Sequence, residues 1–272
     1  MFLISSFWPI LQAICLSFTN YDILNVPRWV GLKNYVQLIG DPLFWKALVN
    51  TLFYLACVVP FLVILPLGLA ILVNQSLPGI RWFRVIYYLP VIFSVVIAGL
   101  AWKWIYAENG LLNYVLSSLL FHPIQINWLT DPRFALPALA TVTIWKGLGY
   151  YMVIYLSGLQ GIPQHLYEAA AMDGANPWQQ HTKITLPLMA SYMILVMILS
   201  AIAAMKVFEE VYVMTRGGPA NSTLTLVYYL YEQGISRLNM GYAAAMGAVL
   251  FAITLCLSLI GVKLLNSRGI NG

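Results

Sequence analysis

Charge is what this chain has least of. Only 8% of its 272 residues are Asp, Glu, Lys or Arg, whereas soluble domains carry about 25%. With 61% hydrophobic residues and a mean hydropathy of +0.81, a soluble fold is excluded and an integral membrane protein is expected. The formal charge of +5 is spread thinly with no basic tract, so nucleic-acid binding has no support. Cysteine is scarce too. Cys15, Cys57 and Cys256 all fall in apolar runs and read as small hydrophobes, neither disulfide partners nor metal ligands. Catalytic signatures are missing as well. There is no G-x-x-x-x-G-K-[ST] to cradle nucleotide phosphates, no H-E-x-x-H and no G-x-S-x-G elbow. His122, His165 and His181 do not cluster in sequence. No metal, bound cofactor or intrinsic catalysis is expected.

What is present is apolar and long. Six runs approach the roughly 20 residues that a helix needs to cross a bilayer: Met1–Thr19, Leu48–Val73, Val85–Tyr106, Phe134–Leu159, Leu188–Met214 and Tyr242–Leu265. All are too long for strands. Pro9, Pro60, Pro66, Pro90 and Pro137 lie in or near them, where neighbouring helices satisfy the carbonyls that proline frees. The fold class is therefore all-α with six transmembrane helices. The first run starts at Met1 without preceding charge. It lacks the basic n-region and A-x-A-like site of a signal peptide, leaving two readings, a start assigned late or a clipped first helix.

Ionisable residues inside these runs are costly and mark polar interiors or solute paths. Lys146 lies near the middle of the fourth run, and Lys206, Glu209 and Glu210 lie late in the fifth. On a continuous helix Lys206 stands at i,i+3 or i,i+4 from the two acids. Two readings follow, a neutralised pair that fixes packing or a polar wall for a hydroxylated solute. Lys146 has no acid at helical spacing and is the better cavity candidate, with Glu209 within reach across the bundle. Thr143, Lys146, Gly147 and Tyr150 share one helical face. Together they offer polar groups for hydroxyls and an aromatic face for a sugar ring; a packing stripe is the plainer reading.

The longest polar island between apolar runs is EAAAMDGANPWQQHTKITLP, Glu168–Pro187. Gln164–Asp173 holds no breaker and reads as a short helix ended by Gly174. Asn176-Pro177 reads as an N-cap followed by proline at the first helical position, starting a second helix to about Ile184. Pro187 then opens the next apolar segment. Two short helices at an angle make a rigid protrusion that another protein can grip.

This island resembles the EAA loop of permease subunits in binding-protein-dependent ABC importers, through Glu168, Ala169, Ala170, Asp173, Gly174, Ala175, Ile184, Leu186 and Pro187. The resemblance extends over most of the chain: LSFTNYD, VGLKNYVQLIGDPLFWKALVNT, INWLTDP, IWKGLGYYM, GLQGIP and GGP at Gly217–Pro219 look like the carbohydrate branch. It implies one permease domain over 1–272, with a core of about 48–266, in the bacterial inner membrane. The loop between helices 4 and 5 would be a cytoplasmic coupling helix, gripped by an ATPase. Implied partners are a second homologous permease, two nucleotide-binding subunits that use ATP and Mg, an extracytoplasmic binding protein, a sugar and membrane lipid. Positions like Thr143, Lys146, Gly147, Tyr150, Ser200 and Ala204 contact sugar in maltose-type relatives. Ala204 replaces a polar residue of the maltose case, putting the same sugar and pose in doubt.

Orientation rests on that resemblance. With the Glu168 loop inside, the inner loops carry Arg81, Arg84, Lys183, Lys263 and Arg268. The outer segments carry Arg28, Lys33, Lys46, Arg133, Arg216 and Arg237. The usual positive-inside excess is absent. The outer loops Asn20–Trp45 and Glu108–Arg133 are rich in Trp, Tyr and Pro, as suits either a headgroup zone or a docking surface. Asn221-Ser222-Thr223 matches a glycosylation acceptor, a weak motif expected to be idle. A glycerol-3-phosphate importer is the alternative within the family. An ion-gradient transporter with Lys146, Glu209 and Glu210 as relay is the alternative outside it, and a membrane-embedded enzyme lacks its constellation.

Overall fold

The computed structural model describes the backbone of residues 2–75 and 78–269 and the side chains of 7–75 and 78–265. Met1 and the Arg268 side chain, both used in the sequence reading, lie outside these described residues. The described residues are all-helical apart from loops and one isolated antiparallel bridge between Thr19 and Trp29. In chain order, α1 (Phe2–Ser17), a short α2 (Lys33–Ile39) and the long α3 (Pro42–Val73) come first. Next are α4 (Ile80–Ile92), α5 (Val95–Ile105), α6 (Leu111–Leu120) and the long α7 (Ala135–Gln160). Then α8 (Gln164–Met172) and α9 (Pro177–Leu188) lead into α10 (Ala190–Met205) and the short α11 (Glu209–Met214). Last come α12 (Leu226–Tyr231) and α13 (Met240–Gly269).

Three helices, α3, α7 and α13, are long and apolar enough to cross a membrane unbroken, and two bent pairs raise that to as many as five. The run Val85–Tyr106 is one of these pairs. It turns through 99° between α4 and α5. Pro90 removes a backbone donor, Phe93 is extended (φ −68°, ψ 138°), and Ser94 restarts the ladder by accepting from Val96 N at 3.3 Å. The other pair, α9 and α10, bends by 62°. The helix expected to stop near Ile184 continues to Leu188 instead. It does so through a π-helical turn at His181–Thr185, widened just ahead of Pro187, which has no N–H to continue an α ladder. The expected first span, α1, has 16 residues and is shorter than these.

The bundle is centred on α3, which packs against α7 and α10, while α13 packs against α1 and α10. Helices in lipid are held by packing and interhelical hydrogen bonds rather than by apolar transfer. Tyr54 OH meets Thr143 Oγ1 at 2.5 Å, and Tyr155 OH donates to Val63 O at 3.0 Å; such bonds contribute about 0.6 kcal/mol each. Their order makes α3 and α7 parallel. Where α4 crosses α7, a Cβ on Gly149 would collide with the Tyr87 backbone, so glycine is what lets the two backbones touch.

The parallel starts of α3 and α7 define one end of the molecule, and the long loops collect there. Asp41 caps α3 and accepts from Tyr229 OH and Tyr242 OH at 2.6 Å each. Lys46 Nζ donates to Ala220 O at 2.7 Å, and Tyr106 OH donates to Ala138 O at 3.0 Å. The α8–α9 elbow follows the opposite end of α7. Burial alone would raise the Asp41 carboxyl, but the two phenols and the Leu43 and Phe44 amides outweigh it and hold it below the ordinary range.

Candidate functional site

Two regions carry the residues singled out from sequence. The first is the elbow. Helix α8 has no buried residue and ends in a Schellman cap: Ala175 N donates to Ala170 O at 2.9 Å and Gly174 N to Ala171 O at 3.0 Å. Gly174 supplies the left-handed residue, with φ +81° and open space where a Cβ would sit. Asn176 then forms a full capping box with Gln179, and Pro177 takes the first helical position. Tyr167 OH meets Thr185 Oγ1 at 2.9 Å and ties α8 to the π turn. Glu168, Ala169, Asp173, Gly174 and Pro187 are exposed, with Ala170 and Ala175 half-buried. Met172 and Trp178 are 85% and 74% exposed, so the elbow presents two large apolar knobs beside its acids.

The second region is an open cavity of about 200 Å³ lined by α3, α4, α7, α10 and α11. It gathers six expected residues, Thr143, Lys146, Gly147, Tyr150, Ser200 and Ala204. Its polar line runs Tyr54 to Thr143 to Glu210: the Tyr54 phenol meets the Thr143 hydroxyl, which donates to Glu210 Oε1 at 3.1 Å. Lys146 lines the same cavity as Glu210. Ser200 is fully buried and its hydroxyl donates to Met197 O at 3.2 Å, so it lines the wall with its polarity already satisfied.

Lys206 and Glu209 do not join them. Helix α10 ends at Met205 and α11 begins at Glu209, with Phe208 at φ −141°, ψ −54° between. The helical spacing expected to pair Lys206 with the acids therefore does not exist. The two ion pairs among the described residues are Arg133–Asp131 and Arg237–Glu232. Lys206 and Glu209 are exposed and lie outside the cavity lining, while Glu210, not Glu209, is the acid that lines the cavity with Lys146. Of the three residues expected as a relay for an ion-gradient transporter, Lys146 and Glu210 therefore share the cavity, whereas Glu209 lies outside it. Tyr54 was missed from sequence: one tyrosine in the apolar run of α3 gives no signal until α7 is laid against it. Glu210 carried a signal, an acid in an apolar run, but its phase was hidden by the helix break. No group of three or more His, Cys, Asp or Glu residues suited to a metal occurs among the described residues.

Comparison with known proteins gives this architecture its relatives. Over nearly its whole length the chain is similar to the arabinooligosaccharides transport system permease protein AraP of Bacillus subtilis. The two are 36% identical over 270 residues, which are 98% of this chain and 85% of that protein. Its structure is similar to the crystal structure of a bacterial ABC transporter that imports the acidic polysaccharide alginate, with a TM-score of 0.85 and 25% identity over 98% of this chain and 91% of the other. The crystal structure of a bacterial alginate ABC transporter in complex with an alginate pentasaccharide-bound periplasmic protein superposes with a TM-score of 0.82, at 26% identity over 96% and 88% of the two chains. Residues 42–269 match the family model itself, and the chain belongs to the binding-protein-dependent transport system inner membrane components.

Proposed function

We propose that this chain is the membrane-spanning subunit of an ATP-driven importer that takes a saccharide from an extracytoplasmic binding protein and passes it through the Glu210 cavity. The carrying observation is the pairing of that cavity with a capped, exposed elbow helix at the far end of the same helix, α7. An exposed helix with no buried residue is not explained by the packing of this chain, whereas a partner gripping it explains its exposure, its caps and its knobs. The saccharide class is supported by the arabinooligosaccharide and alginate systems that the relatives serve, and by a cavity that mixes Tyr150 with hydroxyl, ammonium and carboxylate groups. Glu210 beside Lys146 disfavours a phosphate monoester such as glycerol-3-phosphate, because it repels a dianion in the same space.

In this reading the chain is one permease domain over 1–272, with its core at about 48–266, in the bacterial cytoplasmic membrane. Six spans result when α1 is counted beside α3, α7, α13 and the two bent pairs. The elbow lies between the fourth and fifth, on the cytoplasmic side. A second homologous permease closes the cavity, and two nucleotide-binding subunits hydrolyse ATP with Mg. Those subunits move the elbow because they bind one permease state more tightly than the other.

The test is ATPase activity of the complex in nanodiscs, with and without solute-loaded binding protein, for wild type beside Glu168→Lys and Gly174→Pro. Stimulation that collapses in both variants supports the reading. Uptake that survives both and follows a proton gradient overturns it.

A further inference from the structure

A second pocket, of about 460 Å³, lies at the end of the molecule opposite the elbow. It falls in the range of small-molecule sites, about 300–1,000 Å³, and is more than twice the size of the Glu210 cavity. Three segments far apart in sequence build it: the end of α5, the loop before α7 and the loop after α11. Its floor is aromatic. The rings of Tyr106 and Trp128 lie 5.9 Å apart, within a column that Trp102 and Phe134 continue. Trp128 is held by its indole N–H, which donates to Asn113 Oδ1 at 2.8 Å. Its rim is polar and uncommitted. Lys103, Glu108, Asn127 and Thr130 are among its lining residues, and no polar side-chain atom of the four has a hydrogen-bond or ion-pair partner among the described residues.

A rigid aromatic floor under free donors and acceptors suits a sugar, whose C–H face stacks on rings while its hydroxyls take the rim. The pocket also shares a helix with the deeper cavity. Met214 lines the pocket and Glu210 lines the cavity, one turn apart on the single helix α11. Resting on the function proposed above, we infer that this pocket is an entry subsite for a short saccharide. It receives the solute at the extracytoplasmic mouth before the solute reaches Glu210. The rim offers one ammonium and one carboxylate, so the class that it takes is a neutral, hydroxylated saccharide.

The experiment uses proteoliposomes holding the complete complex with its binding protein. They are supplied with a pool of neutral arabino-, gluco- and galacto-configured di- and trisaccharides, with uptake read by mass spectrometry. Asn127→Cys carries a bulky thiol reagent that plugs the pocket, and the parent treated with the same reagent corrects for Cys15, Cys57 and Cys256. Plugging is expected to lower ATP-dependent uptake at least about tenfold while the binding-protein concentration that half-stimulates the ATPase stays unchanged. Lys103→Ala with Glu108→Gln, unlabelled, is expected to raise the KM for uptake about fivefold, as lost hydrogen bonds to hydroxyls would. Unimpaired uptake in the plugged complex overturns the subsite. So does a large rise in that half-stimulating concentration, which would make the pocket a socket for the binding protein. If the untreated parent carries none of the pool while loaded binding protein still stimulates its ATPase, the neutral-saccharide class is overturned; if neither uptake nor stimulation occurs, the importer reading itself has failed, a distinct outcome.

Discussion

Thr143 on α7 donates its hydroxyl hydrogen to Glu210 on α11 across 3.1 Å, and that bond joins the two helices at the wall of the membrane cavity. The bond runs between elements 67 residues apart in sequence. It is also the side-chain hydrogen bond that the Glu210 carboxylate receives from another helix.

Removing the donor leaves Glu210 short of a partner, and an unsatisfied buried acceptor costs about 1–3 kcal/mol. Thr143→Val is expected to lower the thermal midpoint of the purified complex and to reduce uptake, with Thr143→Ser restoring most of both. Differential scanning fluorimetry beside uptake checks this. A Val variant indistinguishable from wild type in both would deny the bond its role.

Gly174 separates stability from coupling. At φ +81° with nothing near a Cβ, Gly174→Ala pays only the left-handed backbone penalty, about 1–2 kcal/mol. Asn176→Ala loses the capping box, about 1 kcal/mol. Both changes fall in an exposed elbow, so the melting of the bundle is expected to stay within a degree or two of wild type while ATPase stimulation by loaded binding protein drops. Equal losses in the two measurements would count against a lever.

Asp41 predicts an acid-side change. Its folded carboxyl is held below the ordinary value near 3.9. The stability it contributes is therefore fully present above about pH 4 and fades as pH falls through the lower folded value. Asp41→Asn lacks that titration, so thermal midpoints of variant and wild type are expected to differ at pH 7 and to converge below about pH 4. A gap that stays constant down to pH 3 would show that the charge is immaterial.

Gly149 is expected to tolerate nothing larger. A methyl there meets the Tyr87 carbonyl and the Tyr88 backbone, whereas one on Gly68 meets nothing within 4 Å. Gly149→Ala should part α4 from α7, at a cost of about 1–3 kcal/mol and with poor assembly. Gly68→Ala should be neutral or slightly stabilising. Size-exclusion profiles of the two variants, side by side, decide it.

Much of this molecule was legible in the residue order. Long apolar runs fix helices in a bilayer because every backbone group must be satisfied within the segment. Gly174, Asn176 and Pro177 act through their own backbones, so the elbow's turn and caps could be read locally. Thr143, Lys146, Gly147 and Tyr150 sit on one unbroken helix, and 3.6-residue periodicity placed them together correctly. Spacing failed at Lys206, Glu209 and Glu210, because it assumes one continuous helix where the chain breaks at residues 206–208. That break rotates α11, sending Glu210 inward and leaving Glu209 outside. The corner at Phe93 and Ser94, the contact of Tyr54 with Thr143, and the pocket between Trp128 and Met214 likewise join segments with no periodic relation. Local backbone chemistry determined the helices, their caps and the elbow. Which acid faces the cavity, and where a second pocket opens, was decided only when helices distant in sequence packed together.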